Sequence, residues 1–197
     1  MHHSFYENPT YDHIVWSQMC VLKVIDKDYW LDGEREISIV TRDGKYGLIR
    51  VEHTWSADGD YTQAHFIEHG LCDCYYDAIY NLKCDSFFRR MASGYFVVFS
   101  SGRCGLVEVS CSDDETLFEC RERTACVFDS IESYHSNENI LILHRGEKAH
   151  YFNLHTKLLS PEYDAIHVRD SFLICIANSE TIIINPYNDT RFMEVLL

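Results

Sequence analysis

One short phrase recurs four times along the chain, and it constrains the fold more than any other feature. The copies are Pro9-Thr10-Tyr11-Asp12-His13-Ile14, Cys74-Tyr75-Tyr76-Asp77-Ala78-Ile79, Cys126-Val127-Phe128-Asp129-Ser130-Ile131 and Pro161-Glu162-Tyr163-Asp164-Ala165-Ile166. The shared pattern is Pro or Cys, any residue, an aromatic, Asp, any residue, Ile. Self-similarity at intervals of tens of residues marks a repeat array, in which one supersecondary unit stacks on the next to bury a face it cannot bury alone. The aromatic stands at positions 11, 76, 128 and 163, so the intervals shrink from 65 to 52 to 35 residues. The last interval is a bare repeat. The earlier ones carry insertions, notably Val21 to Glu36, His53 to Leu71 and Ser110 to Ala125. Insertions in such arrays map to loops, often on a binding face.

Each copy is followed by two strand signals around a tight turn. The first pair is Ile37 to Val40 and Tyr46 to Val51 around Asp43-Gly44. The second is Tyr95 to Phe99 and Cys104 to Val109 around Ser101-Gly102. The third is Ile140 to Leu143 and His150 to Leu154 around Arg145-Gly146, and the fourth is Phe172 to Ala177 and Thr181 to Ile184 around Asn178-Ser179. β-branched and aromatic runs of this length favour strands. Gly, Asn and Asp between them supply the positive φ of a two-residue hairpin. The Asp of each phrase is expected to hydrogen-bond backbone amides two residues on and fix a bend before the Ile strand. The aromatic and the Ile then face the core on either side of that bend.

The expected fold is therefore all-β: one domain over residues 1–197, with β-hairpin units beginning near residues 9, 74, 126 and 161. Four units of three or four strands suggest a propeller-like form or a curved β-array. Closure protects sheet edges that three prolines could not, which favours the propeller-like form. Two short helical candidates fall inside insertions, with extra strand as the rival. Gln63 to His69 ends at Gly70, a C-cap signal, and Ser112-Asp113-Asp114-Glu115 reads as a capping box ahead of Leu117 and Phe118.

The phrase combined with Gly-Lys-aromatic-Gly-Leu-Ile resembles the WG repeat family, also called KWG repeats. The best match is Asp43-Gly44-Lys45-Tyr46-Gly47-Leu48-Ile49, and the second is Ser101-Gly102-Arg103-Cys104-Gly105-Leu106-Val107. The stretch from Asn153 to Asp164 resembles that family's link from one hairpin to the next Tyr-Asp. Tyr46 and Cys104 stand where the family has Trp, and Gly-Leu is lost in the third and fourth units, so the repeats are degenerate. The resemblance covers about Pro9 to Tyr187. It implies an all-β repeat architecture and an interaction role, and it carries over no catalytic residues.

Composition narrows the partners. Lys plus Arg is 17 against 31 Asp plus Glu, a net charge of −14. Phosphate binding is driven by basic side chains, so nucleic acid is not an expected partner, and an anionic membrane surface would repel the chain. The basic clusters Phe87-Phe88-Arg89-Arg90 and Arg121-Glu122-Arg123 are too short and too balanced for a nucleic-acid patch. No apolar run reaches the roughly 20 residues that span a bilayer. The start, Met1-His2-His3-Ser4, has no basic stretch leading into an apolar one, so a cytoplasmic setting is expected. The nine cysteines are an odd number, and several sit in apolar runs, as in Phe172 to Ile176. They read as reduced thiols acting as small hydrophobes.

Three constellations bear on chemistry. His65, His69, Cys72 and Cys74 form the most specific local cluster; on a helix the two histidines would share one face, and imidazole with thiolate suits zinc. The spacing matches no finger pattern, and Cys74 holds the Pro position of the repeat. The repeated Asp12, Asp77, Asp129 and Asp164 invite comparison with a calcium ring, but their place beside an aromatic assigns them to turns. No Gly-rich phosphate loop, Gly-x-Ser-x-Gly or His-Glu-x-x-His occurs, and no Cys–His pair is placed for nucleophilic catalysis.

The remaining signal is acid interleaved with aromatics in the insertions. Asp58, Asp60, Asp113 and Asp114 lie there, with Tyr29, Trp30, Trp55, Tyr61 and Tyr134 nearby. Charge steers encounters with a basic protein, and buried aromatics supply the hot spots. The expected function is a non-enzymatic protein-binding β-repeat module without a cofactor. A toxin-neutralising or immunity-type inhibitor of a basic partner is its concrete form. The alternatives are a zinc-dependent module or enzyme built on the His65–Cys74 cluster, and a structural accessory domain of a larger complex.

Overall fold

The computed structural model describes residues 13–23, 34–54, 65–82, 93–111, 118–134, 137–169, 172–185 and 190–194. These residues are strands and turns, with no helix among them. They form four four-stranded antiparallel sheets, each a meander in which sequence neighbours pair. The first sheet is β1 (His13–Lys23), β2 (Glu34–Arg42), β3 (Lys45–Thr54) and β4 (His65–Tyr76). The second is β5 (Ala78–Asn81), β6 (Ser93–Ser100), β7 (Arg103–Cys111) and β8 (Phe118–Phe128). The third is β9 (Ser130–Tyr134), β10 (Asn137–Arg145), β11 (Lys148–Asn153) and β12 (Leu158–Leu159). The fourth is β13 (Ala165–Arg169), β14 (Phe172–Ala177), β15 (Glu180–Asn185) and β16 (Thr190–Glu194).

The recurring phrase is the joint between sheets. Its aromatic closes the last strand of one sheet or, at Tyr163, bridges back to Ala149 of β11. The Asp sits at the bend, and the Ile lies in the first strand of the next sheet. Tyr76, Phe128 and Tyr163 are buried, as are Ile79 and Ile166, while Ile131 is half-buried. The first strand meets the second in one register throughout: Ala78 opposes Phe99, Ser130 opposes His144, Ala165 opposes Ile176 and His13 opposes Thr41. Asp12 itself lies outside the described residues.

Each central hairpin closes on two residues. Asp43-Gly44, Ser101-Gly102 and Asn178-Ser179 have positive φ at both positions, the backbone of a type I′ turn. The third hairpin corrects the expectation by one residue. Arg145 pairs with Lys148, so the turn is Gly146-Glu147 rather than Arg145-Gly146. Of the two, only Gly146 has positive φ (60°), as a type II′ turn requires, and glycine meets that demand at its first position without steric cost.

One of the two helical candidates is a strand. His65 to His69 belongs to β4, because it pairs residue by residue with Arg50 to Thr54 of β3. Ladder pairing with a long neighbouring strand overrides weak helix and cap signals. Ser112 to Glu115 lies outside the described residues. The described ends of all three insertions are strand, so they lengthen the flanking strands.

By internal packing the chain divides into two compact units, Met1–Ser101 with Leu106–Glu122 and Gly102–Gly105 with Arg123–Leu197. In the first unit Ile37, Ile39, Val40, Leu48, Ile49, Phe96 and Val98 are buried to 0% exposure. In the second, Ile140, Leu141, Ile142 and Leu143 are all fully buried, so both faces of β10 are covered. β14 differs, with Leu173 and Cys175 inward and Phe172 exposed, the alternation of a strand with one covered face. A cluster of Ile140, Ile142, Tyr151, Tyr163, Leu173 and Ile184 forms the core of that unit.

Candidate functional site

In each described joint the Asp backbone amide donates to a carbonyl of the next hairpin: Asp77 to Phe99, Asp129 to His144 and Asp164 to Ile176, each at 2.7 Å. One carboxylate oxygen then accepts from the first turn residue of that hairpin. The donors are the amides of Ser101 (2.7 Å), Gly146 (2.6 Å) and Asn178 (2.8 Å). The other oxygen pairs with a cation that follows the preceding turn: Lys45 for Asp77, Arg103 for Asp129 and Lys148 for Asp164.

The expected bond to an amide two residues on is thus replaced by a longer reach. The reason is the turn. The first loop residue of a two-residue hairpin has an N–H outside the ladder, and a carboxylate satisfies it. Lys45 and the Ser101 amide hold the Asp77 carboxyl below the usual carboxylate range. Lys148 and the Asn178 amide do the same for Asp164, and Asp164 in turn raises the proton affinity of Lys148. These carboxylates are structural clamps, each already holding a cation and an amide.

The residue after each of these cations meets the joint aromatic. Tyr46 pairs with Tyr76, and Ala149 pairs with Tyr163. The Cys104 thiol donates to the Phe128 carbonyl at 3.4 Å, and burial raises its proton affinity. The following glycine has a steric duty. A Cβ on Gly47 would sit 2.6 Å from the Cys72 carbonyl oxygen, and one on Gly105 would sit 2.6 Å from that of Thr124. In the third unit His150 takes this place; its ring meets Phe128 edge-on at 5.5 Å and its Nδ1 lies 3.1 Å from the Ser160 carbonyl.

Of the expected partner-binding residues, Tyr29, Trp30, Trp55, Asp58, Asp60, Tyr61, Asp113 and Asp114 lie outside the described residues. Tyr134 is the last residue of β9. For the histidine–cysteine cluster, the strand changes the geometry. Residues four apart on a helix are neighbours, but on a strand they are about 13 Å apart along the chain. His65 and His69 therefore lose the shared helical face that suggested zinc. Among the described residues no group of three or more His, Cys, Asp or Glu is placed to hold a metal ion.

What sequence reasoning missed is a thiol–phenol cluster in the first unit. Cys72 on β4 and Cys120 on β8 shift each other's proton affinity. The Cys72 Sγ also lies 3.7 Å from the Tyr75 hydroxyl and 3.7 Å from the Asp73 carbonyl. Tyr75 donates to the Tyr76 hydroxyl at 3.0 Å, with the rings 4.2 Å apart. Both cysteines are half-buried. Cys120 lowers the Cys72 proton affinity; burial and the charges of Asp73 and Glu122 oppose it, and Tyr75 assists it. Cys120 is driven upward by Cys72, and by burial. Burial raises both tyrosines. The sequence holds no signal for this mutual influence, since it joins side chains of β4 and β8.

The second unit has a half-open cleft of about 250 Å³ between β11 and β12, lined by Tyr151, Asn153, Leu158, Leu159 and Ser160. Its polar groups are engaged locally. Asn153 Oδ1 accepts from the His155 and Thr156 amides, and Ser160 Oγ accepts from the Tyr151 amide and donates to the Pro161 carbonyl. It offers a surface rather than a reactive group. No protein-family model matches the chain, and no curated protein matches it.

Proposed function

We propose that this chain is a non-enzymatic, protein-binding scaffold of degenerate WG-type repeats, in propeller-like or curved form, whose inserted loops dock a basic protein. The observation that carries this reading is the fate of the repeated charges. Asp77, Asp129 and Asp164 are each taken up by a cation and a turn amide. The repeat's own polar residues are spent on joining hairpins, and each joint is internally neutral. The net charge of −14 is therefore carried by side chains outside these joints. The insertions hold Asp26, Asp28, Asp58, Asp60, Asp113, Asp114 and Glu115 alongside Tyr29, Trp30, Trp55 and Tyr61.

Such a surface recruits a basic partner by steering and holds it by aromatic anchors. An inhibitor of a basic toxin in the cytoplasm is the concrete form. The cytoplasmic setting goes with the described cysteines being thiols rather than half-cystines. The test is retention of proteins from the source extract on the immobilised chain, at low and high salt, identified by mass spectrometry. One basic protein held at low salt and weakened at high salt supports the reading. No specific protein in either condition defeats it.

A further inference from the structure

We propose that the outer face of the fourth sheet is a self-association surface, covered by a second copy of this chain about a twofold axis. The repeat marks this face as one on which sheets stack. Phe172 stands six residues before its turn, as Ile37, Tyr95 and Ile140 do before theirs. Those three are buried, at 0%, 3% and 0% exposure, while Phe172 is 40% exposed. Two residues on, Ile39, Val97 and Ile142 are buried and Ile174 is only half-buried. In the third sheet the matching face, with Ile140 and Ile142, packs on Leu173, Cys175 and Ile184 of the fourth. Side chains alternate along a strand, so Phe172, Ile174 and Ile183 lie on the other side of the fourth sheet from that contact. The fourth sheet gives one face to the third and keeps a second apolar face, and no fifth sheet follows among the described residues.

Symmetry and charge name the occupant. Ile174 and Ile183 oppose each other across β14 and β15, the two central strands of the sheet. A twofold axis parallel to the strands and running between them lays Ile174 of one copy on Ile183 of the other, and the reverse. The patch is thus complementary to itself, as an isologous dimer requires. Arg169, exposed on β13 opposite Phe172, goes to opposite edges in the two copies, so like charges stay apart. Among its described side chains this face carries no carboxylate, so a basic partner finds no counter-charge there, whereas an apolar sheet of the same kind fits. Four strands about 4.8 Å apart and five residues of about 3.4 Å each give a footprint of about 320 Å² per copy. That is under half of the ~800 Å² per partner of a standard interface, so the dimer is weak, with a Kd on the order of 100 μM. Each copy has a net charge of −14, and salt screens the repulsion between copies. Self-association therefore tightens with salt, the reverse of capture of a basic partner.

The test is sedimentation velocity of the purified chain from about 1 μM to about 1 mM, at low and high salt. The expected result is a reversible shift from monomer to dimer that strengthens with salt. Phe172→Glu should raise the Kd about tenfold or more. With p-benzoylphenylalanine at position 172, in a mixture of isotopically light and heavy chains, photo-cross-links between copies should fall within β13 to β16. A chain that stays monomeric throughout overturns the proposal. So does an oligomer that Phe172→Glu leaves intact, that grows beyond a dimer, or that cross-links outside the fourth sheet. The concentration series uses the unaltered chain, so it decides the matter whether or not the variant folds.

Discussion

A glycine and an aspartate show how closely single residues are bound to the repeat. Gly105 lies where the β8 backbone passes; a Cβ there meets the Thr124 and Ala125 carbonyls within 2.8 Å, and backbone cannot step aside. Gly105→Ala is expected to lower stability by about 1–3 kcal/mol, the usual cost of overpacking, as read by urea unfolding. An unchanged midpoint would show that the strands part more easily than this contact implies. The aspartates predict a pH signature. Asp77 and Asp164 have folded-state proton affinities below the unfolded value of about 3.9. A depressed carboxylate stabilises fully above that unfolded value and loses its contribution as pH falls through the folded one. The Tm of the Asp77→Asn/Asp164→Asn variant should therefore lie below wild type at pH 7. The gap should close on acidification from about pH 5 toward pH 2. A gap that does not depend on pH would mean the side chains act by shape alone. Lys148 has the opposite sign: its raised affinity helps below its unfolded value, and the help fades only in strong base.

At the scale of the element, the hairpin is the unit that the residues specify well. Strand runs and turn residues placed all four central hairpins, because β-branched patterning and positive-φ residues are local signals. Gly146-Glu147 slipped by one residue because a type II′ turn needs only its first residue to be glycine-like, and Arg145-Gly146 satisfies the same composition. β4 was hidden for a different reason: His65 to His69 gains its conformation from pairing with β3, which no local pattern reports. The aromatic-Asp-x-Ile joint was visible as a repeat, yet the partners of its carboxylate were not, since they sit on the hairpins before and after. The mutual influence of Cys72 and Cys120 was invisible for the same reason. Core positions within the hairpins are predictable in energy. Leu173→Ala in β14 and Ile142→Ala in β10, both fully buried, should each cost about 2–5 kcal/mol by denaturant unfolding. A loss below about 1 kcal/mol would place those strands outside the cooperative core.

For the whole molecule, the central idea is a division of labour. In the proposed function, hairpins and their Asp clamps make the scaffold, and acid with aromatics in the insertions makes the contact. The fourth sheet has Glu180 where the other hairpins carry Lys45, Arg103 and Lys148, so the series of Asp–cation clamps stops there. Charge and anchor residues should separate in a binding assay. Replacing Asp58, Asp60, Asp113 and Asp114 by Asn should slow association and flatten the salt dependence. Replacing Trp30 or Trp55 by Ala should weaken affinity about 30-fold per hot spot by faster dissociation. The most direct measurement is the salt-resolved capture of partners from the source extract, run side by side with the Trp30→Ala/Trp55→Ala/Tyr61→Ala variant. The expected result is one basic protein, held by wild type at low salt, weakened at high salt and lost from the variant. A partner held equally by both chains, or no specific partner at either salt, would contradict it.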